Sequence, residues 1–160
     1  MKKNTRNILL AVILLVVLAV LPFWPNLRQA MGGEKTDGEG PSVQCTVEVR
    51  CEDLALVPEL QQAGIAVEED GVLFSGSVAV PMESTVLAAL EQAGKDNGLA
   101  VVTQGSPAYV TAIGGLAAGE HGDLSGWTYT VNGEMVMDSC AVKTVQEGDE
   151  ILWTYVTSWE

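Results

Sequence analysis

The sequence predicts an α+β domain, a mixed sheet with one main packed helix, preceded by an N-terminal transmembrane helix. Three stretches predict it. Residues 125–159 alternate as strands about an Asn132-Gly133 turn, residues 84–94 carry a helical stripe, and residues 8–24 form an unbroken apolar run.

The C-terminal strands are the most informative. Trp127, Tyr129 and Val131 alternate with Thr128 and Thr130, the period of a half-buried strand. Asn132-Gly133 suits a two-residue hairpin turn, where both central residues take positive φ. Glu134 to Met137 returns as the partner strand. Glu147-Gly148-Asp149 makes a second turn, and residues 150–157 form a last strand rich in β-branched and aromatic residues.

Earlier elements follow the same rules. Val43, Cys45, Val47 and Val49 alternate with polar partners, giving a strand with one buried face. Residues 52–63 read as a short, broken helix containing Pro58 and ending near Gly64. Glu68-Glu69-Asp70-Gly71 reads as a solvated acidic turn, since it lacks the alternating ligands of a calcium loop. A second strand spans 77–81. The main helix starts at Ser84 as N-cap, presents Val86, Leu87, Leu90 and Ala93 on one stripe, and ends in a left-handed cap at Gly98. Strands at 99–103 and 109–113 follow, the latter broken by Gly114-Gly115. The ββαββ order is β-grasp-like, two layers with one helix on a mixed sheet.

Residues 1–6 are a basic start with Lys2, Lys3 and Arg6. Residues 7–25 form a signal-anchor or signal peptide; an uncleaved anchor is favoured because no good cleavage motif follows Leu21. The positive-inside rule then places residues 43–160 outside a cell membrane crossed once, with secretion the alternative. Residues 26–42 form a linker, flexible where Gly and charge dominate.

The chain has 160 residues and a net charge of −13. From Ser42 onward three lysines and arginines face eighteen aspartates and glutamates, a net of −15. Such acidity argues against nucleic-acid partners. No nucleophile–base set, zinc-protease motif or phosphate loop is present, so no enzyme is expected. His121 with Asp123 in a loop lacks a partner nucleophile. No metal site is expected either, with one histidine and no C-x-x-C pair.

Three cysteines allow one intrachain bridge at most. Cys45 and Cys51, six residues apart on one strand, lie about 20 Å apart and cannot pair in extended chain. Cys140 is therefore the expected partner of one of them.

Ser125-Gly126-Trp127-x-Tyr129-x-Val131-Asn132-Gly133, then Gly148-Asp149-Glu150-Ile151-x-Trp153-x-Tyr155 and Val156-x-Ser158-Trp159, resemble the C-terminal β-domain of the transcobalamin and intrinsic factor family. Bacterial surface proteins of unknown function share that domain. The resemblance reaches back through residues 109–113 and 117–120, and loosely to Cys45. It implies a similar β-grasp-like fold and a corrinoid, such as cobalamin, as the ligand to test. It implies Trp127, Tyr129, Val136 and Met137 as contacts, two of which can instead be core because adjacent strand positions face opposite ways. Related sequences carry a further cysteine near Thr157. If the first strand runs parallel to the last, Cys51 would lie beside that position and be left over, which leaves Cys45 with Cys140. In that family the ligand lies between a helical barrel and the β-domain, so this domain would supply half a pocket. The alternative is a structural or adhesion domain whose partner is another exported protein.

Overall fold

The computed structural model describes residues 40–158. The expected basic start, membrane segment and most of the linker lie outside the described residues. Among the described residues no helix is long and apolar enough to cross a membrane. The described chain is α+β, with two α-helices, a short 3-10 turn and eight strands.

Strand β1 (Ser42–Cys51) runs antiparallel to β2 (Val72–Pro81) and parallel to β8 (Glu150–Val156). Strand β6 (Gly126–Val131) pairs antiparallel with β8 and, through the Asn132-Gly133 turn, with β7 (Glu134–Met135). The five-stranded order is β2-β1-β8-β6-β7. First and last strands are thus central and parallel, and Cys51 lies opposite Tyr155. The alternation predicted for β1 holds: Val43, Cys45, Val47, Val49 and Cys51 are all buried on one face.

A second, three-stranded sheet contains β3 (Val101–Gln104), β4 (Tyr109–Ile113) and β5 (Leu116–Ala117). The expectation of a single sheet is therefore corrected. Side chains bridge the break. The Trp127 indole N–H donates to Leu116 O at 3.0 Å, and Tyr155 Oη lies 2.8 Å from Ala117 O. These bonds give the β5 carbonyls side-chain partners from the larger sheet.

Between β1 and β2 lie the 3-10 turn Leu54–Leu56 and helix α1 (Val57–Gln62), with Pro58 in its first turn, where a missing N–H costs nothing. The main helix, α2 (Val86–Asn97), ends on Gly98 at φ 70° as expected. Its N-cap is Thr85 and not Ser84. Thr85 Oγ1 accepts from Ala88 N at 3.2 Å, while Ser84 N is held by Pro81 O in the turn leaving β2. The buried stripe of α2, centred on Ala89, Leu90 and Ala93, packs on the inner face of β1 and β2. Burial of a leucine such as Leu90 contributes about 1.5–3 kcal/mol.

Strand β2 begins five residues earlier than expected. Its register with β1 shifts between Val49 and Arg50, where Phe74 pairs with Val49 and Val72 with Arg50. Leu73 is the extra residue, and this bulge breaks the period-two pattern that would have marked the strand.

Candidate functional site

The turn between β6 and β7 and the segment leading into β8 enclose a cleft of about 390 Å³. One wall is the hairpin, residues 131–138, and the other is 143–149. The hairpin turn has the geometry read from Asn132-Gly133, with φ 54° and 78°. Such paired positive φ values define the turn that matches strand twist.

Asn132 does more than turn the chain. Its Nδ2 donates to Asp149 Oδ1 at 2.9 Å, its Oδ1 accepts from Glu150 N at 2.9 Å, and its backbone N donates to Glu150 O at 2.8 Å. Asp149 Oδ2 in turn accepts from Gln146 N at 2.8 Å. These bonds pin the two walls together at the base of the cleft.

The second wall is fastened to helix α2. Val86 N donates to Lys143 O at 2.8 Å and Leu87 N to Cys140 O at 2.9 Å. These are amides that no helical carbonyl can serve, so the 139–145 segment caps the helix and is fixed by it.

Of the four residues implied as contacts, the structure brings two to the cleft. Val136 is half-buried and Met137 is 93% exposed, and both line it. Trp127 and Tyr129 do not. Both lie on the inner face of β6 with Val131. Trp127 packs edge-on against Tyr155 at 5.2 Å between centroids. Tyr129, 7% exposed, stacks on the buried Trp153 at 5.1 Å. Strand alternation allowed this outcome, and packing at the sheet interior decides it.

Tyr129 still reaches the site from behind. Its hydroxyl donates to Asp138 O at 2.7 Å, fixing the segment that returns from the turn. Burial pushes its pKa up to about 12, with the nearby Cys140 and Asp138 adding to the effect. A phenol held neutral in this way is a stable donor to that carbonyl.

The cleft is more polar than the implied contacts, all aromatic or apolar, would make it. Met135, Val136 and Met137 supply its apolar part, while Glu134, Asp138 and Asp149 bring three carboxylates. Lys143, one of three cations from Ser42 onward, also lines it and makes no ion pair among the described residues. Lys143 and the Asn132–Asp149 clasp were not among the expected site residues. The Asn-Gly pair marked the turn, but no sequence signal marked Lys143.

The structure shows no bridge between Cys45 and Cys140. All three cysteines are free and buried. Cys45 Sγ points to Val78 O at 3.7 Å and Cys140 Sγ to Ala108 O at 3.9 Å, so each thiol is satisfied against a different strand or loop. Burial raises the pKa of each, most of all through desolvation. Among the described residues no cluster of His, Cys, Asp and Glu is arranged to hold a metal ion.

Comparison with known proteins places this geometry. Residues 83–157 match the family described as a domain of unknown function (DUF4430). The matched segment holds α2, both walls of the cleft and β8. The fold also resembles that of haptocorrin, solved as a crystal structure in complex with Cbi. The TM-score is 0.51 at 21% identity, over 72% of this chain and 25% of that one. This chain therefore spans about a quarter of haptocorrin's length. A protein from Ruminococcus gnavus described as a candidate metal-binding protein aligns with a TM-score of 0.46 at 15% identity, over 73% of this chain and 99% of that one. No curated protein matches the chain. The resemblance to the transcobalamin family expected from the sequence is thus present in the fold.

Proposed function

We propose that the domain is a non-catalytic binding module with a β-grasp-like core, whose hairpin 131–138 takes one side of a flat amphipathic ligand, a corrinoid being the chemistry to test. The observation that supports this most is the cleft itself. A hairpin clasped at its base by Asn132 and Asp149 and braced by Tyr129 holds Met135 and Met137 out of the core, 60% and 93% exposed. Unbranched, polarizable side chains of this kind adapt to varied ligand surfaces. The carboxylates and Lys143 around them suit a ligand with a polar periphery. Haptocorrin, which shares the fold, is described in complex with Cbi.

The cleft is open, and small-molecule sites bury about 70–90% of their ligand. A one-sided site therefore binds modestly, on the order of micromolar or weaker, until a partner closes the other side. Titration calorimetry of the full chain with cobinamide and with cobalamin tests this. Heat that saturates in that range supports the reading, and no heat with either ligand near millimolar contradicts it.

The reading includes a membrane tether through residues 7–25, with the domain on the outer side of the cell membrane. It rests on Lys2, Lys3 and Arg6 preceding the apolar run. Recovery of a soluble exported form beginning near Gly33 would contradict the tether. A second reading is a structural or adhesion domain that binds another exported protein. Val102 and Tyr109, 49% and 56% exposed on the three-stranded sheet, favour it. Crosslinking to a partner through that sheet, with no corrinoid binding, would select it.

A further inference from the structure

The hairpin lies at one edge of the five-stranded sheet, and β2 forms the opposite edge. Strand β2 is ten residues long and reads VLFSGSVAVP, with no charged residue. Among the described residues, no strand pairs with its outer side. Among the described residues, backbone groups of 73–80 bond only to β1, on the inner side. Long, uncharged free edges are uncommon because they template pairing with another chain, and charge or proline along the strand is the usual protection. Here the only proline is the last residue, Pro81.

Two clefts flank the first half of this edge, one for each face of an added strand. Toward the core lies a groove of about 360 Å³ lined by Leu73, Phe74, Ala66 and Leu99, with Gly114 and Gly115 as bare backbone. Gly114 sits at φ 62°, strained for any other residue, and a Cβ there would press on Leu99 Cδ1 at 2.8 Å and Leu73 Cδ2 at 3.2 Å. Toward the outer face lies a cleft of about 550 Å³ lined by Glu48, Glu68, Glu69 and Asp70, beside Val72 and Ser75. Among the described residues Arg50 is the one cation at this corner, 3.5 Å from Glu48 and donating to Asp70 O at 3.3 Å.

We infer that β2 is a docking edge for an extended segment of a partner protein that bears an apolar residue on one face and a lysine or arginine on the other. An added strand takes its affinity from main-chain bonds and its specificity from pockets for alternate side chains. Successive residues of that strand face opposite sides, so an apolar side chain beside Phe74 enters the groove while its neighbour meets the carboxylates. Charge decides against a second copy as occupant. Antiparallel pairing of two β2 strands would bring the 68–70 turn of one copy near Glu83 of the other, acid against acid.

The test is hydrogen exchange on the full chain with the peptide acetyl-Thr-Val-Lys-Val-Thr-Val-amide at about 1 mM, a concentration that reveals even weak binding. The inference expects at least tenfold slower exchange of amides in 73–80. It expects at least tenfold weaker binding of the same peptide with Glu in place of Lys. It also expects loss of that preference in the Glu68→Lys/Glu69→Lys variant, whose exposed side chains leave the fold intact. Unchanged exchange at β2, or equal binding of both peptides, overturns it. Protection of 73–80 without peptide that vanishes on dilution also overturns it, assigning the edge to a second copy. None of these readouts involves the hairpin cleft, so this inference and the corrinoid reading fail separately.

Discussion

The hydroxyl of Tyr129 donates to the carbonyl of Asp138 at 2.7 Å, tying β6 to the chain that returns from its own hairpin. One aromatic thereby belongs to the core by its ring and to the cleft by its oxygen. Replacing Tyr129 with Phe keeps the stacking on Trp153 and removes the bond. The expected loss is about 0.5–1.5 kcal/mol in denaturant unfolding, with faster amide exchange across 134–138. An unaltered exchange profile would show that the hairpin holds itself.

The same residue gives a pH signature. Its pKa in the folded domain is about 12, raised from 10.0. A raised folded value means that the native state holds the proton more tightly than the unfolded one. The stabilisation is therefore complete below about pH 10 and is lost as the pH rises through about 12. Absorbance at 295 nm should show a phenol ionising near the upper value, and that step should be missing from the titration of Tyr129→Phe.

The capping of α2 separates two neighbouring residues. Thr85→Ala should cost about 1 kcal/mol, because Ala88 N loses its acceptor. Ser84→Ala should stay within about 0.5 kcal/mol, since that side chain makes no capping bond. A larger loss in Ser84→Ala than in Thr85→Ala would return the cap to Ser84.

This is also where sequence reading reached its limit. The sequence pointed to Ser84 as the cap, but the turn after Pro81 holds Ser84 N and passes the role to Thr85. Alternation in β1 and β6 was legible because one face of each is buried. The first half of β2 was not, because the Leu73 bulge shifts the phase and Ser75-Gly76 interrupts the apolar pattern ahead of Ser77. Trp127 and Tyr129 were legible as a facing pair, but not which side they faced. That depended on β5, whose carbonyls draw Trp127 and Tyr155 inward. Asp149 read as a turn residue, which it is, while its bond to Asn132 spans seventeen positions and leaves no local trace.

Thiol counting tests the cysteine arrangement. Native protein should react slowly at all three cysteines, which are at most 4% exposed, and burial keeps thiolate scarce. Unfolding in denaturant without reductant should release three reactive thiols per chain, as all three are free in the structure. A count of one would mean that a bridge exists.

Two substitutions separate fold from site. Trp127→Ala removes the indole bond to Leu116 and the contact with Tyr155, and should destabilise by about 3 kcal/mol. Any binding change in that variant is then secondary to folding. Met137→Ala should leave stability within about 0.5 kcal/mol, because its side chain is almost wholly in solvent. It should nevertheless weaken corrinoid binding severalfold in calorimetry. Wild-type affinity in Met137→Ala would remove that residue from the site.

The most direct measurement is an amide chemical-shift titration of the full chain with cobinamide. The proposed function predicts saturable shifts confined to 131–138 and 143–149, strongest at Met135 to Met137 and at Lys143. Shifts centred elsewhere, or none with the ligand near millimolar, would contradict it.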